Sequence, residues 1–260
     1  MSSDATAAPE PTFDLTGRVA IITGGSRGIG LAIAKGFSAR GAKVVISSRK
    51  AEACHAAAVE IEAAGGEALA VPAHVGELAD LDRLVEATVE RFGGIDIVVN
   101  NAANPLALPV ETVTPEAWAK SFDVNLRGPV FLTQKALPHL KASQHASVIN
   151  VISAGAFMAT PFQSMYGAGK AALLSFTRSI AGEHAADGIR VNALAPGTTD
   201  TTMTRNTGEE SFEHMRTISP LGRIAEPEEM VGAALLLASD AGSYITGQCI
   251  LVDGGLTPAR

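Results

Sequence analysis

Tyr166 and Lys170 stand four residues apart in Ser164-Met165-Tyr166-Gly167-Ala168-Gly169-Lys170, a spacing that on a helix puts both side chains on one face. A phenol beside an ammonium is an acid–base pair. It can protonate an oxygen that turns anionic, or deprotonate a hydroxyl in the reverse direction. To act as a base near neutrality, a tyrosine of pKa ~10 must fall by about 3 units, which is roughly 4 kcal/mol. One cation about 5 Å away at an effective dielectric of ~20 supplies on the order of 3 kcal/mol. Lys170 is therefore the expected source of much of the fall. Taken alone, Tyr-x-x-x-Lys is more often a plain helix surface. Two polar residues upstream strengthen it: Ser153, after a β-branched run, and Asn125 in Asp123-Val124-Asn125. Ser153 reads as a hydroxyl for the reacting oxygen or as a strand-end cap. Asn125 reads as a member of the reaction centre or as an amide that caps or kinks a helix, and the two roles can coexist.

A second constellation lies near the amino end, in Thr23-Gly24-Gly25-Ser26-Arg27-Gly28-Ile29-Gly30, followed by the apolar run Leu31 to Phe37. Glycines let a chain turn sharply and bring backbone N–H groups and a helix N-terminus against a phosphate. The spacing is Gly-x-x-x-Gly-x-Gly, distinct from the usual Gly-x-Gly-x-x-Gly dinucleotide fingerprint. The second β-branched run ends Ser47-Ser48-Arg49. A carboxylate there would bond the adenosine ribose of NAD. Instead Ser48 holds that place, and Arg49 and Arg27 offer two cations to a 2′-phosphate, so NADP(H) is favoured over NAD(H). The alternative is that both arginines face solvent and the site is permissive.

These residues need a frame. Short β-branched runs at Val19 to Thr23, Lys43 to Ser47, Ala68 to Pro72, Ile95 to Asn100, Ser147 to Ile152, Ile189 to Leu194 and Cys249 to Val252 read as seven strands. Between them lie stretches with helical spacing, such as Leu81, Leu84, Val85 and Thr88. The alternation predicts an α/β, doubly wound, mainly parallel sheet of seven strands with helices on both faces, and ligands beyond the strands' carboxyl ends. Residues 15–260 read as a single domain after a flexible, Ala/Pro-rich tail at 1–14. The polar segment from Thr198 to Pro220 interrupts the pattern, either as a loop that closes over ligand or as a mobile surface loop.

Composition narrows the function. With 47% hydrophobic residues and 18% charged, the 260-residue chain suits a core buried on both faces, and its net charge of -7 makes nucleic acid an unlikely partner. Cys54 and Cys249, the only two cysteines, have no metal-ligand spacing, and no metal is proposed. The first residues carry no signal-peptide or membrane pattern, so a cytoplasmic enzyme acting away from membranes is expected.

Taken in order, these motifs resemble the short-chain dehydrogenases/reductases in their compact single-domain branch, from Thr16 to Gly255. The resemblance rests on the glycine loop, Asn100-Asn101-Ala102-Ala103, Asn125, Ser153 thirteen residues before Tyr166-x-x-x-Lys170, Pro196-Gly197 and Val252-Asp253-Gly254-Gly255. It implies a Rossmann-like fold and a catalytic tetrad of Asn125, Ser153, Tyr166 and Lys170. Tyr166 would be general acid/base, Lys170 would hold the nicotinamide ribose, Ser153 would bond the substrate oxygen and Asn125 would support a water relay. Gly24, Ser26, Arg27, Gly28, Ile29, Gly30, Ser48, Arg49, Asn101 and Ala102 would line the cofactor, with Tyr166 and Lys170. Pro196, Gly197, Thr199 and Thr201 would fix its carboxamide. His74 and Val75 match the adenine-edge segment, though an acidic residue is usual at His74. That histidine either bonds the adenine or is a loop residue.

The substrate pocket would draw on Ala103 to Leu106, Ser153, Ala154, Gly155 and on to Met158, Phe162, Tyr166 and Thr202 to Met215. This lining suits an apolar ketone, aldehyde or 3-oxoacyl compound. Relatives imply a homotetramer, although the apolar faces of Trp118 to Leu140 and Ala171 to Ile180 could equally be core. The rival functions are an NAD(H)-dependent alcohol dehydrogenase of the same family and a non-catalytic NADP(H)-binding sensor or scaffold.

Overall fold

Apolar, mostly β-branched runs form the strands, and the apolar faces of the helices between them close over both sides of the sheet. The computed structural model describes residues 12–257, so all but the last three residues of the expected tail at 1–14 lie outside the described residues. The strands are β1 (Val19–Thr23), β2 (Lys43–Ser47), β3 (Glu67–Ala70), β4 (Ile97–Asn100), β5 (Ser147–Val151), β6 (Arg190–Pro196) and β7 (Cys249–Val252). They form one sheet in the order β3-β2-β1-β4-β5-β6-β7. Every pairing is parallel. The order reverses between β1 and β4, which opens a crevice at their carboxyl ends.

Three strands span the residues expected of them, and one of the shifted ends has a visible cause. The Asp96 carboxylate accepts the Val19 N–H at 2.8 Å, so a side chain stands in for the ladder and β4 begins at Ile97, two residues after Ile95. The ladder past β3 continues through the Val71 and Ala73 N–H groups, which reach Ile46 and Ser48 carbonyls at 3.0 Å each.

The helices are α1 (Gly28–Ser38), α2 (Ala51–Ala63), α3 (Leu78–Phe92), α4 (Pro115–Phe122), α5 (Gly128–Ala142), α6 (Ser164–Glu183), α7 (Thr202–Arg205), α8 (Glu209–Ile218) and α9 (Val231–Ala238). Alternation along each strand divides the core in two. Ala20, Ile22, Val44 and Ile46 face Ile33 and Phe37 of α1, Cys54 and Ile61 of α2, and Leu235 of α9. Ile21, Val45, Val98 and Val148 face Leu81 and Leu84 of α3, Leu132 and Ala136 of α5, and Ile180 of α6.

The segment expected as an irregular loop at 198–220 instead holds α7 and α8. Local chemistry explains both helices. The Thr201 side chain caps α7 by accepting from Thr204 N. α8 carries Glu209 and Glu210 in its first turn and Arg216 in its last, the charge order that the helix dipole favours.

Candidate functional site

The glycine turn is built by close packing between the ends of β1 and β4. The Thr23 hydroxyl accepts from the N–H groups of Asn101 and Ala102 at 3.0 and 3.1 Å. The Asn101 side-chain amide donates back to the carbonyls of Thr23 and Gly24 at 2.9 and 3.3 Å. Glycine is required here. A Cβ on Gly24 would lie 2.7 Å from Asn101 Nδ2, one on Gly30 would collide with the Gly24 carbonyl, and one on Gly28 would sit 3.1 Å from Thr201 Cγ2. Gly24 and Gly28 also hold φ of +65° and +53°, which other residues rarely adopt.

α1 begins at this turn with no side-chain cap and no acidic residue in its first turn. Its N–H groups and dipole are thus left for an anion. The bare backbone, the Asn101-held turn and the uncapped helix together fit a dinucleotide pyrophosphate.

Beside the turn, Ser26 Oγ and Ser48 Oγ are 2.9 Å apart. Arg27 and Arg49 flank them, both exposed, and neither joins an ion pair among the described residues. His74 is largely occupied as a loop residue. Its Nδ1 accepts from Gly76 N at 3.1 Å and its own N–H reaches Asp80 Oδ2 at 2.8 Å, which leaves only Nε2 for a ligand. Val75 is buried in the core.

At the other side of the crevice, β5 ends at Val151 and Ser153 follows. Gly155 N donates to Ser153 Oγ at 3.1 Å. The hydroxyl therefore does cap the turn Ala154–Ala156, and its own proton stays free to be donated elsewhere. Lys170, only 1% exposed, donates from Nζ to the Val151 carbonyl at 2.7 Å. Nζ lies 5.7 Å from the Tyr166 ring centre, so the helical spacing does place both side chains at one spot.

Their protonation differs from the expectation drawn from charge pairing alone. Burial pushes the Tyr166 phenol above its ordinary value, with a hydrogen bond to the Ser153 side chain opposing it. Burial pulls Lys170 down to about 7. The low dielectric that isolates the pair also weakens the hold of the lysine on its own charge. Lys170 therefore holds its proton less firmly than an exposed lysine would.

Asn125 is fully buried within a π-helical turn, Asp123–Arg127, between α4 and α5. Its Oδ1 accepts from Asn104 N at 3.1 Å, and its Nδ2 donates to Asn104 O at 2.8 Å and Ser121 Oγ at 3.2 Å. Both amide protons are spent on protein. A Cβ on Gly169 would lie 3.2 Å from Asn125 Cβ, so α6 rests directly on this turn. The spacing of motifs did not point to Asn104, because its part is played by backbone atoms.

Among the remaining predicted residues, Pro196 closes β6 and Gly197 passes against Asp253, whose Cα would be 2.6 Å from a Cβ there. Thr199 is 3% exposed; its carbonyl accepts from Thr204 Oγ1 at 2.7 Å. Ala154 is buried. Phe162, expected in the pocket wall, lies at the surface. Its side chain is 67% exposed, its φ is +65°, and its carbonyl accepts from Leu108 N at 2.7 Å. That bond joins two loops at the edge of the crevice.

Known proteins are similar to this one along nearly the whole chain. A family model described as enoyl-(acyl carrier protein) reductase matches residues 24–257. The chain is 41% identical over 245 residues to a 3-oxoacyl-[acyl-carrier-protein] reductase of Synechocystis, covering 93% of this chain and 98% of that one. It is 39% identical over 249 residues to the human dehydrogenase/reductase SDR family member 4, covering 95% and 89%. A solved structure from Beutenbergia cavernae, named as an NAD(P)-dependent gluconate 5-dehydrogenase and holding NADP at low occupancy, superposes with a TM-score of 0.89 at 35% identity, covering 95% and 99%. These define the class as an oxidoreductase acting on CH–OH groups with NAD(P). The chain belongs to the short-chain dehydrogenase/reductase family. Among the described residues no helix is long and apolar enough to cross a membrane.

Proposed function

We propose that this protein interconverts a carbonyl and a secondary alcohol with NADP(H), on an apolar ketone, aldehyde or 3-oxoacyl substrate. One observation carries the assignment: Tyr166, Ser153 and buried Lys170 converge where β5 meets α6, with the phenol held in its protonated form. A protonated phenol is the donor that carbonyl reduction requires.

When bound, the nicotinamide dinucleotide supplies or accepts the hydride. Ser153, one of its two lone pairs taken by Gly155 N, offers its proton to the substrate oxygen. Tyr166 protonates the same oxygen as it becomes anionic. Lys170 stabilises the resulting phenolate, all the more as it takes up a proton, and offers Nζ to the nicotinamide ribose hydroxyls. Asn125 contributes by placement, fixing the loop at Asn104 and supporting α6, so a water relay through its amide protons is not part of this proposal. Gly24, Gly28, Ile29, Gly30, Asn101 and Ala102 receive the pyrophosphate and its flanks, and the segment from Pro196 to Thr201 receives the carboxamide end.

The preference for NADP(H) is supported by Arg27 and Arg49, two exposed cations beside the Ser26–Ser48 pair that join no ion pair among the described residues, with no carboxylate at the end of β2. The name of the Synechocystis relative supports a 3-oxoacyl substrate. We further propose a cytoplasmic homo-oligomer, since the edge strand β7 is only half buried along its whole length.

The test is a panel of ketones, aldehydes and 3-oxoacyl thioesters followed by NADPH absorbance. Tyr166→Phe should keep NADPH binding and lose turnover by about 10²–10⁴-fold. Retained turnover would remove Tyr166 from its role. Equal or better efficiency with NADH would overturn the part given to Arg27 and Arg49.

A further inference from the structure

We propose that Cys54 is a positioning residue for cofactor choice, acting through Ser48 to set which hydrogen-bonding sense the adenosine site presents to a 2′-phosphate. The assignment rests on NADP(H) being the cofactor. Cys54 lies in the first turn of α2 and is 0% exposed. Its Sγ is 3.1 Å from Ser48 Oγ and 3.5 Å from the Ser48 carbonyl oxygen. Ser48 Oγ in turn lies 2.9 Å from Ser26 Oγ. A chain of three side chains thus links α2, the end of β2 and the glycine turn.

Proton accounting gives this chain two settings. If the thiol donates to the Ser48 carbonyl, the Ser48 proton goes to sulfur and the Ser26 proton to Ser48, so only lone pairs face outward. If the thiol donates to Ser48 Oγ, one serine proton joins the two serines and the other points outward. The first setting suits a ligand hydroxyl, which can bring its own proton. The second suits a phosphate oxygen, which accepts. Arg27 and Arg49, exposed and each next in sequence to one of the two serines, favour the anion. Without a partner at position 54, Ser48 Oγ would keep only its contact with Ser26, and nothing would fix the direction of its proton.

The experiment is calorimetric binding of two probes, adenosine 2′,5′-bisphosphate and 5′-AMP, to wild type, Cys54→Ala, Cys54→Ser, Ser48→Ala and the double variant Cys54→Ala/Ser48→Ala. KM and kcat with NADPH and NADH would be measured alongside. Loss of one neutral hydrogen bond should weaken the bisphosphate about 3- to 10-fold in Cys54→Ala, while 5′-AMP stays within about twofold. KM for NADPH should rise in step, with kcat at saturating NADPH held. Cys54→Ser, which keeps a donor and an acceptor and replaces sulfur by a smaller atom, should restore most of the preference. The double variant should be no weaker than Ser48→Ala, since Cys54 acts through Ser48.

Equal losses for both probes, additive losses in the double variant, or no restoration by Cys54→Ser would overturn the inference. If wild type prefers the bisphosphate and Cys54→Ala keeps that preference, only the part given to Cys54 fails. If wild type binds the two probes equally, the NADP(H) assignment fails and takes this one with it.

Discussion

α6 and the α7–α8 pair follow the two strands β5 and β6, yet they are held by opposite means. α6 buries Gly167, Gly169, Lys170, Leu173, Leu174, Thr177, Ile180 and Ala181. It is also tied to the sheet by a buried polar line: Asn100 Nδ2 donates to Asn150 Oδ1 at 2.8 Å, and Asn150 Nδ2 donates to Thr177 Oγ1 at 2.8 Å. α7 and α8 bury no residue. Their polar links are exposed, as in Arg216–Glu213 and Arg205–Asp200, with Arg205 lying 5.2 Å over the Phe212 ring. The difference teaches a division of labour: the helix carrying Tyr166 and Lys170 is fixed in the core, and the helices of the segment proposed to meet a substrate bury nothing that would hold them in place.

The comparison breaks most visibly at Lys170. Lys170→Met should lower kcat by at least about 100-fold while making the protein more stable near neutrality. The sign follows from linkage. The folded-state value of about 7 lies below the ordinary 10.5, so between these pH values the unfolded chain binds the extra proton and wild-type stability rises with pH. Below pH 7 both states are charged and the burial penalty is full. The gain of the variant should be roughly 1–3 kcal/mol at pH 6, after the lost bond to Val151 is set against it, and should shrink toward pH 10.5. Denaturant melts at several pH values would check this, and a gain that grows with pH would contradict it.

The next largest effect should come from the opposite region. Replacing residues 202–218 by a short Gly/Ser linker should raise substrate KM by about 10-fold or more while moving Tm by no more than ~2 °C. A collapse of Tm would show that α7 and α8 belong to the core after all. A smaller, purely structural loss is expected for Thr177→Ala, which leaves Asn150 Nδ2 without its partner and should cost about 1–3 kcal/mol in denaturant unfolding. Smallest of all, Arg205→Ala removes an exposed ion pair, and Tm should not measurably change at any salt concentration.

Much of this frame was legible in the residues. The seven β-branched runs are visible because strands buried on both faces need continuous apolar side chains, and the i, i+4 spacing of Tyr166 and Lys170 is fixed by helix geometry. What was not legible depends on partners far apart in sequence or on backbone atoms. The Asn125 amide is committed to the backbone of Asn104, which no side-chain pattern reports. The exposed placement of Phe162 follows from its left-handed backbone, a conformation that a bulky residue gives no reason to expect. α7 and α8 lack a buried face and so show no apolar periodicity. Their caps and end charges were the available signal, at Thr201, Glu209, Glu210 and Arg216. The burial that pulls Lys170 down was not legible for a related reason, since burial is a property of the assembled fold.

The Asn101 staple across β1 and β4 has a thermodynamic corollary. Because Asn101 and Thr23 hold the glycine turn through protein-to-protein bonds, the turn takes its shape during folding and needs no ligand to order it. Little chain entropy is then left to lose at the pyrophosphate when a dinucleotide arrives. Association at that end should resemble a key meeting a cut lock, and the larger ordering cost of binding should fall on the α7–α8 side.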